Sequence, residues 1–569
     1  MDGMWNREVD RAMDEARAVD KAKRLNRATG YVALLVISLI AIGLCGYTLY
    51  ELRSGRPLQI IQVVDNSAGE KLRAVLEKIR SDYVDSVSLD SVEEAVLPAL
   101  LAELDPHSEY FPAQELEAVQ EPLRGDFEGI GVVFNMLTDT VIVQSVIAGG
   151  PSERAGIEAG DRIMRVDSIG IAGVKLRQDS VVRLLRGARG TRVRVEIARL
   201  GVEGLIPIEI VRDKIPLKSI EAAYVVEDGI GVIRLSRFAQ KTPKEFGEAL
   251  VRLSEQGMQR LILDLRGNGG GYLQGAHFVA SQFLRKGSLI TYIQGRRRAR
   301  QDLVTERDGP LRNIPLVLLT DELSASSSEI VAGAMQDNDR AAIVGRRTFG
   351  KGLVQEQFEF PDGSGLRLTV SRYYTPSGRS IQKPYELGEK RAYNHDLEER
   401  WENGELYERD SIKLDTLRAF RTLGGRTVYG GGGIMPDVFV PLDTMGNSRF
   451  LREVSRRALL VKFAQRYLDG HREELKRFRD VDALQRHLRR QAVEREFLAY
   501  AKSEGYTPGP GEMAQSGEII LTQLHANIAR GVLDNEGYYP IISSIDNTLQ
   551  RGIELVKKKD PIAAAAAMQ

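Results

Sequence analysis

Four serines, Ser324, Ser326, Ser327 and Ser328, stand within five positions of the run DELSASSSEIVAGAM, residues 321–335. A serine hydroxyl becomes an effective nucleophile only beside a base that takes its proton. The usual base is histidine, but the six in the chain (107, 277, 395, 471, 487 and 525) are scattered and lack metal-ligand spacing. No metal site is expected. Lys351, between Gly350 and Gly352 in GRRTFGKGL, offers another base. A lysine at its usual pKa of about 10.4 is charged and useless for this, yet burial lowers it by several units. The apolar runs IPLVLLT and AAIVG precede the serines and the lysine and would supply that burial. Ser–Lys pairing needs no histidine. Plainer readings stand beside it: Ser326-x-x-Glu329 forms a capping box, and a lysine between glycines is often only a turn residue.

Two glycine-rich stretches bear on the same chemistry. In LILDLRGNGGGYLQ, residues 261–274, a strand runs into a turn and then a helix. That geometry gathers free N–H groups able to hold a phosphate or a developing oxyanion, or it is simply a tight turn. Gln274 stands where a dinucleotide fingerprint needs glycine. Gly345-x4-Gly350-Lys351 fails as a P-loop, because Gly352 replaces the magnesium-holding hydroxyl and LVQEQFEF alternates like a strand. A phosphate-binding NTPase is therefore disfavoured. In FEGIGVVF, the turn Gly129-Ile130-Gly131 precedes a strand. Such a loop can grip a terminal carboxylate while the strand edge adds a peptide.

The elements that must position these residues differ along the chain. Its 569 residues call for about three or four domains. Its 79 basic and 79 acidic residues give no basic surface, so no nucleic acid is expected as a partner. One cysteine, Cys45, excludes an internal disulfide framework. Residues 31–50, YVALLVISLIAIGLCGYTLY, are uncharged and as a helix would rise roughly 30 Å, the thickness of a bilayer core. Lys21, Lys23, Arg24 and Arg27 precede this span without an acid, which predicts a cytoplasmic segment 1–30 and everything after residue 50 outside. A cleaved signal peptide fits less well, because the leading segment is long and no small-x-small site follows. Helical spacing marks 65–124, interrupted at LDPHSEYF. Short β-rich runs fill 125–213, and strands alternate with helices from 229 onward. The charged stretch 385–425 reads as a surface insertion, and 448–569 is mainly helical.

Taken together, GDFEGIGVVF, LDPHSEYF, LDLRGNGGG, SASSSEIVAGAMQD, RTFGKGLVQ and YGGGGIMPD resemble, in their order, the carboxyl-terminal processing peptidases, or tail-specific proteases. The resemblance spans about 65–440. It implies a mixed α/β, α+β multidomain fold: a PDZ-like module over 125–213, an α/β (crotonase-like) protease core over 214–442, and a helical C-terminal region. It implies a serine endopeptidase without a cofactor, acting on protein substrates with free C-termini. Its Ser/Lys dyad maps onto Ser326 and Lys351, twenty-five residues apart, with Gln355 orienting the lysine. Its oxyanion hole maps onto the backbone of Ser327 and of Gly270 or Gly271. Its tail-binding loop maps onto Gly129, Ile130, Gly131 and Val132. Ser327 departs from the commoner SASAS pattern, a change that a backbone role tolerates. The rival from another class is an inactive, membrane-tethered PDZ scaffold. A homo-oligomer is left open.

Overall fold

The computed structural model describes residues 67–136, 139–147, 149–413, 418–444 and 446–568. The segment 1–30 and the span 31–50 lie outside them; among the described residues no helix is long and apolar enough to cross a membrane. The chain divides into a unit ending at Val87, which holds helix α1 (Ser67–Asp82), and a unit from Ser88 onward.

The second unit opens with α2 (Leu89–Ala102), whose first turn is capped by Ser88. Strand β1 (Glu109–Phe111) and helix α3 (Ala113–Arg124) follow. The β-rich module comprises β2 (Asp126–Gly129), β3 (Val132–Asn135), β4 (Val141–Val146), β5 (Arg162–Val166), helix α4 (Gln178–Leu185), β6 (Arg192–Ala198), β7 (Ile206–Val211) and β8 (Asp213–Pro216). Its main sheet has the order β3-β4-β5-β6-β7, while β2 pairs with β8. Alternation fixes the inner face: in β6, Val193, Val195 and Ile197 are buried and Arg192 and Arg194 exposed. Strand β3 is an edge, open to another strand.

From Ile220 the chain alternates: β9 (Ile220–Val226), β10 (Ile230–Leu235), α5 (Thr242–Glu255), β11 (Arg260–Asp264), α6 (Leu273–Ser281), then the hairpin β12 (Leu289–Gly295) and β13 (Arg298–Val304). Next come β14 (Leu316–Thr320), α7 (Ser327–Asp337), β15 (Ala342–Gly345), β16 (Leu353–Glu359), β17 (Gly365–Tyr374), α8 (Lys390–Glu402) and β18 (Val438–Phe439). One sheet runs β9-β10-β11-β14-β15-β18, parallel except for β9. Its strands are apolar on both faces, as sheets covered on both sides require. Phe246, Ala276 and Val331 of α5, α6 and α7 cover one face. Leu549, Ile553 and Val556, from the helix Asn547–Val556, pack on the other against Ile262, Val317 and Leu319. Each such side chain contributes about 1.5–3 kcal/mol, so the last helices complete the core of the sheet.

A second sheet centres on the ten-residue β17, with β16 along one edge and β1 and β12 sharing the other. This brings LDPHSEYF beside the lysine loop. The stretch 385–425, read as a surface insertion, is more than a solvated face. Tyr393, Arg400 and Glu405 are buried, Arg400 donates to the Thr348 and Phe349 carbonyls, and Glu405 pairs with Arg347 at 2.6 Å. Composition counts charges but not their partners, and paired arginines can be buried.

Candidate active site

The serine run connects β14 to α7, and its four hydroxyls divide sharply. Ser324 Oγ donates to the Leu265 carbonyl (2.9 Å), Ser327 Oγ to the Gly271 carbonyl (2.8 Å) and Ser328 Oγ to the Asn268 carbonyl (2.8 Å). These three buried serines fasten the helix start to the glycine turn 265–271. Ser326 does not. It sits at the N-cap of α7 with φ +56° and ψ −114°, a conformation costing on the order of 1–3 kcal/mol for a non-glycine residue. The Tyr373 hydroxyl lies 3.0 Å from Ser326 Oγ and 2.6 Å from the Lys351 carbonyl. The carbonyl can only accept, so it takes the phenolic proton and leaves Ser326 O–H to donate to the phenol oxygen. Replacing Ser327 by alanine is expected to weaken the staple by about 1 kcal/mol, a small drop in thermal midpoint with at most a several-fold loss of kcat.

The predicted capping box is present, with Glu329 accepting the Ser326 N–H at 2.9 Å. The same carboxylate also accepts from Thr348 Oγ1 (2.5 Å), Gly350 N (2.7 Å) and Lys351 N (2.8 Å). One fully buried acid therefore ties the serine to the lysine loop. Burial pushes its pKa up, against these four hydrogen bonds.

Lys351 is partly buried, and among the described residues its amine meets no hydrogen-bond acceptor, Ser326 and Gln355 included. Burial, and then the nearby Arg367 guanidinium, lower its pKa; Glu109, Glu329 and Asp105 act the other way. A second buried lysine, Lys383, is held differently. Its ammonium donates to the Tyr393 carbonyl, pairs with Asp396 at 2.9 Å and stands 4.1 Å from the Phe349 and Tyr393 rings. Burial lowers the pKa of this lysine too, but Asp396 opposes the shift and its hydrogen bonds occupy the ammonium. His107 lies close enough to feel the Lys351 charge, but burial first and that charge second push its pKa down to about 3. A base that weak takes a serine proton poorly.

Gln355 lies on β16, where its Nε2 donates to Thr369 Oγ1 at 3.2 Å. The glycine turn separates the two oxyanion candidates. Gly270 N–H donates to Asn268 Oδ1 at 2.9 Å, whereas Gly271 N–H has no acceptor among the described residues. Ser327 N–H, in the first turn of α7, is similarly free of an intrahelical partner. At Gly270 (φ +100°) a Cβ would stand 2.7 Å from Ser326 Cβ, so glycine is required for the turn to lie against the serine. In the β-module, Ile130 O accepts from Ser152 N and Oγ, and Gly131 O from Ile147 N. The Ile130 and Gly131 carbonyls of the expected tail-binding loop are thus occupied, and Val132 opens the edge strand β3.

Glu329 was legible only as a helix cap, and Tyr373 and Thr369 gave no sequence signal, because their partners lie far away in the chain. The comparisons with known proteins bear on the whole assembly. Models of peptidase family S41, the PDZ domain and a family of unknown function match residues 229–387, 129–210 and 450–534. The carboxy-terminal processing protease CtpA of Bacillus subtilis is 32% identical over 319 residues, 56% of this chain and 67% of that protein. The carboxy-terminal-processing protease of Bartonella bacilliformis is 37% identical over 316 residues, 54% and 71% of the two chains. Among solved structures, the photosystem II D1 C-terminal processing protease is 28% identical, covering 56% of this chain and 91% of that one with a TM-score of 0.32. With a PDZ domain ahead of its protease core, and 32% and 37% identical to two such enzymes over the aligned 67% and 71% of their lengths, the chain belongs to peptidase family S41, among the carboxy-terminal processing serine proteases.

Proposed function

We propose that the chain is a membrane-anchored endopeptidase that cleaves proteins near their C-termini with Ser326 as nucleophile and Lys351 as base. The observation carrying this reading is the contrast within the site. Ser326 is the serine of the run whose hydroxyl is not fastened to the glycine turn, and Lys351 has a desolvated amine without an acceptor among the described residues. The serine hydroxyl swings from Tyr373 to the neutral Lys351 amine, which takes its proton as Oγ bonds to the peptide carbonyl carbon. The N–H groups of Ser327 and Gly271 receive the oxyanion. Collapse breaks the C–N bond, with the proton passing from Lys351 to the leaving amine. Water, deprotonated by the same lysine, then releases the acyl group. Gly129–Val132 and the open edge of β3 bind the substrate tail. The uncharged span 31–50, with its basic leading flank, anchors the chain in the cytoplasmic membrane with the catalytic region on the extracytoplasmic side. An inactive scaffold is disfavoured, since Glu329 joining both loops would then serve no chemistry.

The pH profile tests the base. Only the neutral amine accepts a proton, so activity is low while Lys351 is protonated and rises with pH through its depressed pKa. Cleavage of a denatured protein by the purified full chain checks this. A profile that stays flat from about pH 5 to about pH 10 overturns the assignment.

A further inference from the structure

An unbroken line of hydrogen bonds runs from Asp105 of LDPHSEYF through Thr369 to Gln355, four residues after Lys351, and we propose that Asp105 and Thr369 are positioning residues that hold the Gln355 carboxamide toward Lys351. The inference rests on the Ser326/Lys351 reading above. Gln355 and Thr369 are direct partners across β16 and β17, in a register that shifts between Val354 and Gln355. In an unshifted ladder Gln355 would face Val370, which has no hydroxyl. Bulges of this kind recur beside active sites, where they re-aim side chains.

The hydroxyl of Thr369 is oriented from behind. It donates to Asp105 Oδ1 at 2.7 Å, so its oxygen faces Gln355 as an acceptor and takes the Nε2 hydrogen bond. With Nε2 so engaged, the carboxamide oxygen is left to accept from Lys351. That polarity suits a base, because a neutral amine donating to Gln355 turns its lone pair elsewhere, toward the serine. Asp105 is itself pinned. It accepts from Ser108 Oγ (2.5 Å) and His107 N (3.0 Å), while Ser108 Oγ accepts from Thr369 N (3.1 Å). Asp105 and Ser108 are buried, 8% and 3% exposed. Burial pushes the Asp105 carboxyl up, but hydrogen bonds from Ser108, Thr369 and His107 outweigh it and leave the pKa below normal. The group is thus an ionised acceptor at neutral pH. A local turn role for Asp105 accounts for the bonds to His107 and Ser108. It leaves unexplained the bond to Thr369, 264 residues away.

The test is steady-state cleavage by the full chain carrying T369V, which keeps the β-branched shape and removes the hydroxyl, T369S, which restores it, D105N, and Q355A with and without T369V. We expect T369V and D105N to lower kcat about tenfold with KM changed less than about twofold, T369S to recover most of the loss, and T369V to add less than about twofold to Q355A. Full multiplication of the T369V and Q355A losses, an unaltered T369V, or a T369S no better than T369V would each overturn the proposal. Should D105N fail to fold, the T369V and T369S pair decides. Failure of the underlying reading shows separately, as cleavage surviving Ser326→Ala.

Discussion

Ser326→Ala is expected to reduce cleavage by on the order of 10^4-fold or more, the loss seen when a covalent nucleophile is removed. Lys351→Ala should fall in the same range, because an unassisted serine hydroxyl remains protonated near neutral pH. Lys351→Arg discriminates base from mere charge. Arginine preserves the cation but does not release its proton in a protein, so it should be as inactive as alanine. The flanking serines give the contrast. Ser324 and Ser328 are buried staples on the glycine turn, so their alanine variants should lose thermal stability more than they lose turnover. Lys383 provides a second contrast, since its ammonium is held by Asp396 and two rings. Kinetics on one protein substrate for all these variants check the set. Near-wild-type turnover by Ser326→Ala would sink the nucleophile assignment and return the site to a structural helix cap.

How much of this was readable in the sequence depends on the distance between partners. Strand and helix periodicity located the β-module and the alternating core, because burial on a fixed face repeats every two or 3.6 residues. The serine run and the glycine-flanked lysine were visible as chemistry, since hydroxyls beside a helix start and an amine after apolar strands are local features. The choice of Ser326 among four serines came only from resemblance to a family; in three dimensions Ser326 is set apart from the three whose hydroxyls find carbonyls on the turn 265–271. Glu329 carried a local signal for one of its four bonds, that to Ser326, and none for those to Thr348, Gly350 and Lys351. Tyr373, Thr369 and Asp105 act across sheet registers set by a bulge and by the pairing of β1 with β17. No spacing rule spans such separations. Gly270 and Gly271 were equivalent in the sequence and separated only by the Asn268 side chain. The buried arginine of α8 was hidden for a related reason, its partners being backbone carbonyls of the lysine loop.

Glu329→Gln should produce the second large effect, and its size follows from counting donors. Each carboxylate oxygen accepts two bonds: Oε1 from Thr348 Oγ1 and Gly350 N, Oε2 from Ser326 N and Lys351 N. An amide keeps one oxygen and turns an NH2 toward the other pair. Thr348 can rotate its hydroxyl to accept from that NH2, so the tolerable orientation strands Gly350 N–H; the opposite one strands Ser326 N–H and Lys351 N–H together. A buried donor without an acceptor costs about 1–3 kcal/mol. Against this, a neutral side chain avoids the desolvation that raises the Glu329 pKa, so the net loss of stability should stay near the lower end of that range. Turnover should suffer more. Ser326 is held at φ +56° by the bond from its N–H to Oε2, and the Lys351 backbone hangs from the same oxygen. Loosening either loop by about 1 Å is enough to lower kcat on the order of 10^2-fold. Thermal unfolding and kcat measured on the same preparation separate the two consequences. A lowered midpoint with wild-type kcat would make Glu329 a helix cap and nothing more, whereas a large loss of kcat at a nearly unchanged midpoint identifies it as the joint that sets serine and lysine at their working separation.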